Sequence, residues 1–175
     1  MRKHIAVFGS PSSGKTLFSF ILADALTKDQ KRVLIISPDD IIPILPMLDD
    51  DKMGLGRLFS EEINQLHFTQ AVKVLRENPL VGVLGYGLQE EGIRDEAQME
   101  TFCSIAESLS DSIIWDLTSD LSNPFCQFAK KKAEFSVCIL TPDKRGLLYE
   151  QENERNLPHN SIHLAGQVKP YSPYE

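Results

Sequence analysis

Eight consecutive residues near the amino terminus, Gly9-Ser10-Pro11-Ser12-Ser13-Gly14-Lys15-Thr16, have the spacing G-x-x-x-x-G-K-[ST]. That pattern suits a loop that wraps a phosphate group with its backbone N–H donors. Gly9 and Gly14 allow backbone angles closed to other residues and let the chain approach the phosphates closely. Lys15 is the residue expected to reach the β- and γ-phosphates, and the Thr16 hydroxyl to ligate Mg²⁺. The whole stretch from Gly9 to Leu17 is the candidate nucleotide-binding segment. Two carboxylates complete the candidate chemistry. Asp39 follows the apolar run Val33-Leu34-Ile35-Ile36 and the dipeptide Ser37-Pro38, while Asp116 ends the run Ile113-Ile114-Trp115. An acid closing an apolar strand near such a loop is a usual second Mg²⁺ determinant. Lys15, Asp39 and Asp116 are therefore the candidate catalytic residues, with Thr16, Asp39 and Asp116 around the metal. Leu117-Thr118-Ser119-Asp120 is expected to line the γ-phosphate side and to act as a switch.

These residues need elements to hold them. His4 to Phe8 reads as a buried strand leading into the loop, and Leu17 to Lys28 as a helix leading out. Phe18, Ile21, Leu22 and Ala25, at i, i+3, i+4 and i+7, mark its expected inward face. Strand, glycine turn and helix N-terminus bring N–H donors and the positive end of a helix dipole to one place. Val33 to Ile36 is an unbroken apolar run, as a parallel strand buried on both faces requires. Pro43 and Pro46 make 41–53 an irregular segment. Short helices are expected at Leu55 to Phe59 and at Thr69 to Glu77, and a strand at Leu80 to Tyr86. Gln89 to Glu96 reads as a surface loop. Met99, Phe102, Ala106 and Leu109 mark an amphipathic helix. Further helices are expected at Pro124 to Ala133, with Lys130-Lys131-Lys132 solvated at its end, and at Arg145 to Glu152. Phe135 to Leu140 and Ser161 to Ala165 are the last strands. Strands alternating with helices predict an α/β fold of three layers, a largely parallel, doubly wound sheet with helices on both faces.

Length and composition set limits. The 175 residues make one domain, with 42% apolar and 25% charged residues and a formal net charge of −7. An acidic chain disfavours a broad nucleic-acid surface. No apolar run approaches a membrane span, and no leader segment is apparent. Cys103, Cys126 and Cys138 lack metal-ligand spacing and read as buried thiols of a reducing compartment, the cytoplasm.

Taken together, these motifs resemble the MinD/ParA family of P-loop ATPases over nearly the whole chain. The resemblance runs through the phosphate loop, the segment Val33 to Asp39, the segment Asp111 to Asp116, and Thr141-Pro142-Asp143 after the strand 135–140. It implies ATP and Mg²⁺ as ligands, slow hydrolysis used as a switch, a protein partner to be positioned, and a homodimer. Asp39 matches the acid that acts on the attacking water. Pro43, Leu45-Pro46 and Val83-Leu84-Gly85-Tyr86 look most like the TadZ/CpaE branch, whose members localise pilus-secretion machinery. Three departures stand out. Ser10 occupies the position of a signature lysine, Ser37 replaces the first acid of the D-x-D-P segment, and the sequence given ends soon after Gln167, where relatives often carry an adenine-reading asparagine. Two other readings of the same residues are a nucleotide-binding scaffold without hydrolysis and a P-loop kinase of a small substrate. The latter is disfavoured because Arg57, Arg76, Arg94, Arg145 and Arg155 are scattered. Neither the partner nor ATP over GTP is fixed by these residues.

Overall fold

The computed structural model describes residues 3–48, 53–91, 98–158 and 161–165. Its frame is a seven-stranded sheet: β1 (Lys3–Gly9), β2 (Val33–Ser37), β3 (Lys73–Val74), β4 (Val81–Gly85), β5 (Ser112–Asp116), β6 (Phe135–Leu140) and β7 (Ser161–Ala165). The spatial order is β3-β4-β2-β5-β1-β6-β7. All neighbours run parallel except the short edge strand β3, which is antiparallel to β4. This is the largely parallel sheet that the alternation of strands and helices predicts.

The helices are α1 (Lys15–Thr27), α2 (Ile44–Met47), α3 (Leu55–Ser60), α4 (Gln65–Ala71), α5 (Met99–Leu109), α6 (Pro124–Lys132) and α7 (Lys144–Asn153). Successive strand residues point to opposite faces, and the core splits accordingly. Val7, Ile35, Val83 and Ile114 pack under α1 and α2 through Ala23, Ile44 and Leu45. Ala6, Phe8, Ile36, Leu84 and Trp115 face α3 to α7 through Leu58, Phe68, Phe102, Phe125 and Tyr149. Phe102 is the hub of the second layer, with ring centroids 5.1–6.5 Å from Phe59, Phe68, Phe125 and Trp115. Local chemistry starts the helices. The Asn64, Asn123 and Asp143 side chains accept N–H donors from the first turns of α4, α6 and α7, as N-caps do.

Four sequence expectations are corrected here. The buried face of α1 is Ser19, Ala23 and Thr27, while Ile21 and Ala25 are exposed and Phe18 and Leu22 half-buried. Small side chains let α1 lie close against the sheet, so closeness to the site outweighed the apolar stripe. The expected helix from Thr69 ends at Ala71. Lys73–Val74 pairs with β4 instead, and Leu75 N–H continues the pairing to the Val81 carbonyl at 3.0 Å. Segment 41–53, of which positions 49–52 lie outside the described residues, holds one helical turn among those described, Ile44–Met47, started after Pro43. Of the expected surface loop 89–96, positions 92–96 lie outside the described residues, and Glu90 is not a solvated loop residue. Its carboxylate accepts N–H donors from Gly54 (2.9 Å), Gly56 (3.1 Å), Arg57 (3.2 Å) and Gly87 (2.8 Å), closing the start of α3 onto the end of β4.

Candidate functional site

The carboxyl ends of β2, β5, β1 and β6 lie side by side, and in an open α/β sheet that edge receives the ligand. Each delivers one sequence-predicted group. Gly9 ends β1 with φ 151°, and a Cβ there would sit 1.9 Å from the Ile139 carbonyl oxygen, so glycine is required on both grounds. The loop then passes Pro11 and Ser12, both exposed, with Ser12 at φ 58°, and reaches Gly14 at φ 89° as the residue before α1. No side chain caps the N-terminus of α1, and its first turn carries no acid. Its leading N–H groups, over Lys15 to Leu17, are thus left for an anion. Ser13 Oγ is buried without a partner among the described residues.

Lys15 is folded back on the loop. Its Nζ donates to the carbonyl oxygens of Gly9 (3.2 Å) and Ser10 (3.0 Å) and to Ser119 Oγ (2.9 Å). Burial lowers its pKa, opposed by the nearby charges of Asp116 and Asp39. Asp116 is buried at the end of β5 and gathers hydroxyl donors from three elements. Thr16 donates to Oδ2 at 2.8 Å, Ser37 to Oδ2 at 3.0 Å and Ser19 to Oδ1 at 3.1 Å. Burial pushes this carboxyl up, while the three hydroxyls and Lys15 pull it down. Donors converging on both oxygens fit the ionised carboxylate. Ser19 is the site residue that sequence reasoning missed. Its signal was a polar residue one helical turn after Lys15, visible only once the true inner face of α1 is known.

Asp39 is less tightly held. Its Oδ1 accepts the N–H groups of Ile41 (3.1 Å) and Ile42 (2.9 Å), closing a turn at the end of β2. It shares a cavity of about 340 Å³ with Lys15, Thr16, Ser37 and Asp116. The structure therefore brings Asp39, Asp116, Lys15 and Thr16 to one cavity. Its other wall is apolar, built from Leu17, Ile42, Ile44 and Met47.

Ser10 is turned the other way. It is fully buried, its Oγ accepts the Thr141 N–H at 2.9 Å, and it lies 3.4 Å from Thr141 Oγ1. Thr141 Oγ1 donates to Asp143 Oδ1 at 2.8 Å, and Asp143 caps α7 and binds Arg145. The hydrogen bonds from Thr141, then those from Arg145, hold the Asp143 carboxyl down at about 2. Where the resemblance expects an outward lysine, this chain ties its loop to the end of β6.

The donor set fits Mg²⁺ at Thr16. Its hydroxyl proton is committed to Asp116, which leaves oxygen lone pairs for a cation. Asp116 spends three of its four acceptor positions on hydroxyls, so it suits the second layer around a metal better than direct ligation. Ser37 offers no charge where a second acid is expected.

Two other places were candidates. A mostly apolar cavity of about 180 Å³ opens at the amino ends of β2 and β4, and its one charged lining group, Arg32, pairs with Asp111 at 3.6 Å. His4, Cys103 and Glu107 bring their ligand atoms within 4.8 Å of one another, yet they are complete without an ion. Trp115 Nε1–H donates to His4 Nδ1 at 3.3 Å, which places the imidazole proton on Nε2, 3.2 Å from Glu107 Oε1. Cys103 donates to the same oxygen at 3.4 Å. A metal on Nε2 needs a proton on Nδ1, facing the indole N–H.

Glycine loop, helix N-terminus and strand-end acid, at the centre of a mostly parallel sheet, define a P-loop NTPase fold. No family model and no curated protein matches the sequence, but solved structures do match the fold. A ParA family ATPase from Chlorobium tepidum superposes with TM-score 0.75 at 16% identity, over 95% of this chain and 76% of that one. A chain of the MinC:MinD cell division protein complex of Aquifex aeolicus gives 0.72 at 17%, over 95% of this chain and 69% of that one. MinD of Pyrococcus horikoshii, complexed with Mg-ADP, gives 0.69 at 18%, over 94% and 68%. At such identities the likeness is one of fold.

Proposed function

We propose that this protein is a nucleotide-dependent switch of the MinD/ParA kind, which binds ATP with Mg²⁺, hydrolyses it slowly and positions a partner protein. The carrying observation is the convergence of Lys15, Thr16, Asp39 and Asp116 on one cavity at the N-terminus of α1. Backbone N–H groups of residues 15–17 and the Lys15 ammonium would hold the phosphates, and Thr16 would hold the metal, which would supply positive charge against that developing on a transferred phosphoryl. Asp116 orients Thr16, and Asp39 holds the attacking water. The fold likeness to MinD and ParA structures supports this reading. So does the wall of the cavity, where Leu17, Ile42 and Met47 are exposed. Grouped apolar side chains on a surface mark a contact for another protein, either a partner or a second copy of this chain. The likeness to the TadZ/CpaE branch makes pilus or secretion machinery the partner proposed.

A second reading, binding without hydrolysis, is favoured by one observation. Ser37 puts a neutral donor on Asp116 in place of a second acid. Thermal melting with Mg²⁺-ATP and Mg²⁺-ADP, followed by phosphate release, separates the readings. At a hundred times Kd the ligand stabilises by about 2.7 kcal/mol, and Lys15→Ala is expected to lose most of that. An equal shift in the variant removes this site. Stabilisation without phosphate release leaves the scaffold.

A further inference from the structure

An ammonium has three protons to donate, and those of Lys15 have three acceptors: Gly9 O, Ser10 O and Ser119 Oγ. The group that must meet phosphate is thus fully engaged by the protein itself. Two acceptors belong to the loop. The third comes from the connection between β5 and α6, 104 positions away. That connection is itself fixed. Thr118 Oγ1 donates to the Asp120 carbonyl, Asp120 Oδ1 accepts both the N–H and the hydroxyl of Ser122, and Asn123 caps α6. Ser119 is presented to Lys15 rather than meeting it by chance of a loose loop.

We propose that Ser119 is a latch on the phosphate site: it holds Lys15 against the Gly9 and Ser10 carbonyls, competes with incoming phosphate, and passes the news of phosphate arrival to the β5–α6 connection. The proposal rests on the nucleotide reading above, and adds the residue that senses occupancy and the direction in which its loss acts. A hydroxyl bonded to an ammonium is a charge-assisted contact. Phosphate oxygens carry formal charge and displace it, but the broken contact is subtracted from the affinity. Removing the hydroxyl leaves one Lys15 proton unengaged and ready. Release also frees Ser119 on the segment that leads into α6, so di- or triphosphate binding changes the end of β5 that holds Asp116.

Calorimetric titration with ADP, ATP, inorganic pyrophosphate and adenosine tests this in the wild type, Ser119→Ala and Ser119→Thr. Ser119→Ala is expected to bind ADP, ATP and pyrophosphate about three- to tenfold more tightly. Its affinity for adenosine, which has no phosphate, is expected to stay as in the wild type, and Ser119→Thr, which keeps the hydroxyl, to behave as the wild type. A general loosening of the site moves adenosine too, and overturns the proposal. Unchanged or weaker phosphate binding by Ser119→Ala overturns it as well, and makes Ser119 a bystander or a phosphate ligand. Should the wild type bind none of the phosphate probes, the nucleotide reading fails and the latch with it. Failure confined to Ser119→Ala leaves that reading intact.

Discussion

His4 shows how much a single side chain decides here. Burial lowers its pKa despite the neighbouring Glu107 carboxylate, and the Trp115 N–H requires the neutral ring. The sign follows from linkage. The unfolded chain takes up a proton near pH 6.5, whereas the folded protein does so only at lower pH, so the stability that neutral His4 supports is complete above 6.5 and falls as pH drops below it. Melting temperatures across pH 7.5 to 5 are expected to decline more in the wild type than in His4→Gln, whose amide can serve both neighbours. The cysteines give a second test at this scale. Burial pushes Cys103 up to about 12 and Cys126 and Cys138 to about 11, so little thiolate exists near neutrality. A thiol reagent at pH 8 is expected to leave the native protein almost unlabelled and to modify all three once it is denatured. The reading of buried thiols was open to sequence because apolar flanks signal burial. The bond from Cys103 to Glu107 was not, since α5 brings the two together only by its i, i+4 geometry.

Among the elements, the strand ends were the most legible. Apolar runs closed by Ser37-Pro38-Asp39, Asp116 and Thr141-Pro142-Asp143 gave β2, β5 and β6 together with their cargo. The inner face of α1 was hidden, because Ser19, Ala23 and Thr27 are chosen for small size and for reach to Asp116, not for hydrophobicity. The tie made by Glu90 was hidden too. A carboxylate that collects N–H donors from Gly54, Gly56, Arg57 and Gly87 leaves no periodic trace. Glu90→Ala is expected to cost roughly 2 kcal/mol, since hydrogen bonds to a charged group are among the stronger ones. For a chain of this size that lowers the melting point by about 4–8 °C, with Glu90→Gln in between. Gly9→Ala is expected to cost at least about 3 kcal/mol, from a left-handed backbone and a side chain driven into the Ile139 carbonyl. Its measure is denaturant unfolding with no nucleotide present.

On the scale of the molecule, Ser10 bears on assembly. In the family this chain resembles, an outward lysine at that position bridges two subunits through the nucleotide, but Ser10 is buried and bonded to Thr141. Nucleotide-driven dimerisation is therefore expected to be weak. A two-fold interface without the lysine lacks two charge-assisted contacts, each worth roughly 1.5–3 kcal/mol. Sedimentation with ADP, ATP and no nucleotide is expected to show similar association in all three, and a dimer that forms only with ATP contradicts it. Ser10→Lys is expected to unseat Thr141 and lower stability before it strengthens any dimer. Of the 175 residues, Trp115 is the one tryptophan, fully buried, hydrogen-bonded to His4 and next in the chain to Asp116. The protein thus carries its own optical probe, with a single indole between the proton-sensitive imidazole and the candidate metal layer. Its emission is expected to be that of an indole shielded from water, and to dim on acidification as the imidazole charges and quenches it. Nucleotide bound at Thr16, which is hydrogen-bonded to Asp116, is expected to change the same signal at neutral pH, so one fluorophore reads the imidazole on β1 and the carboxyl end of β5 without a label.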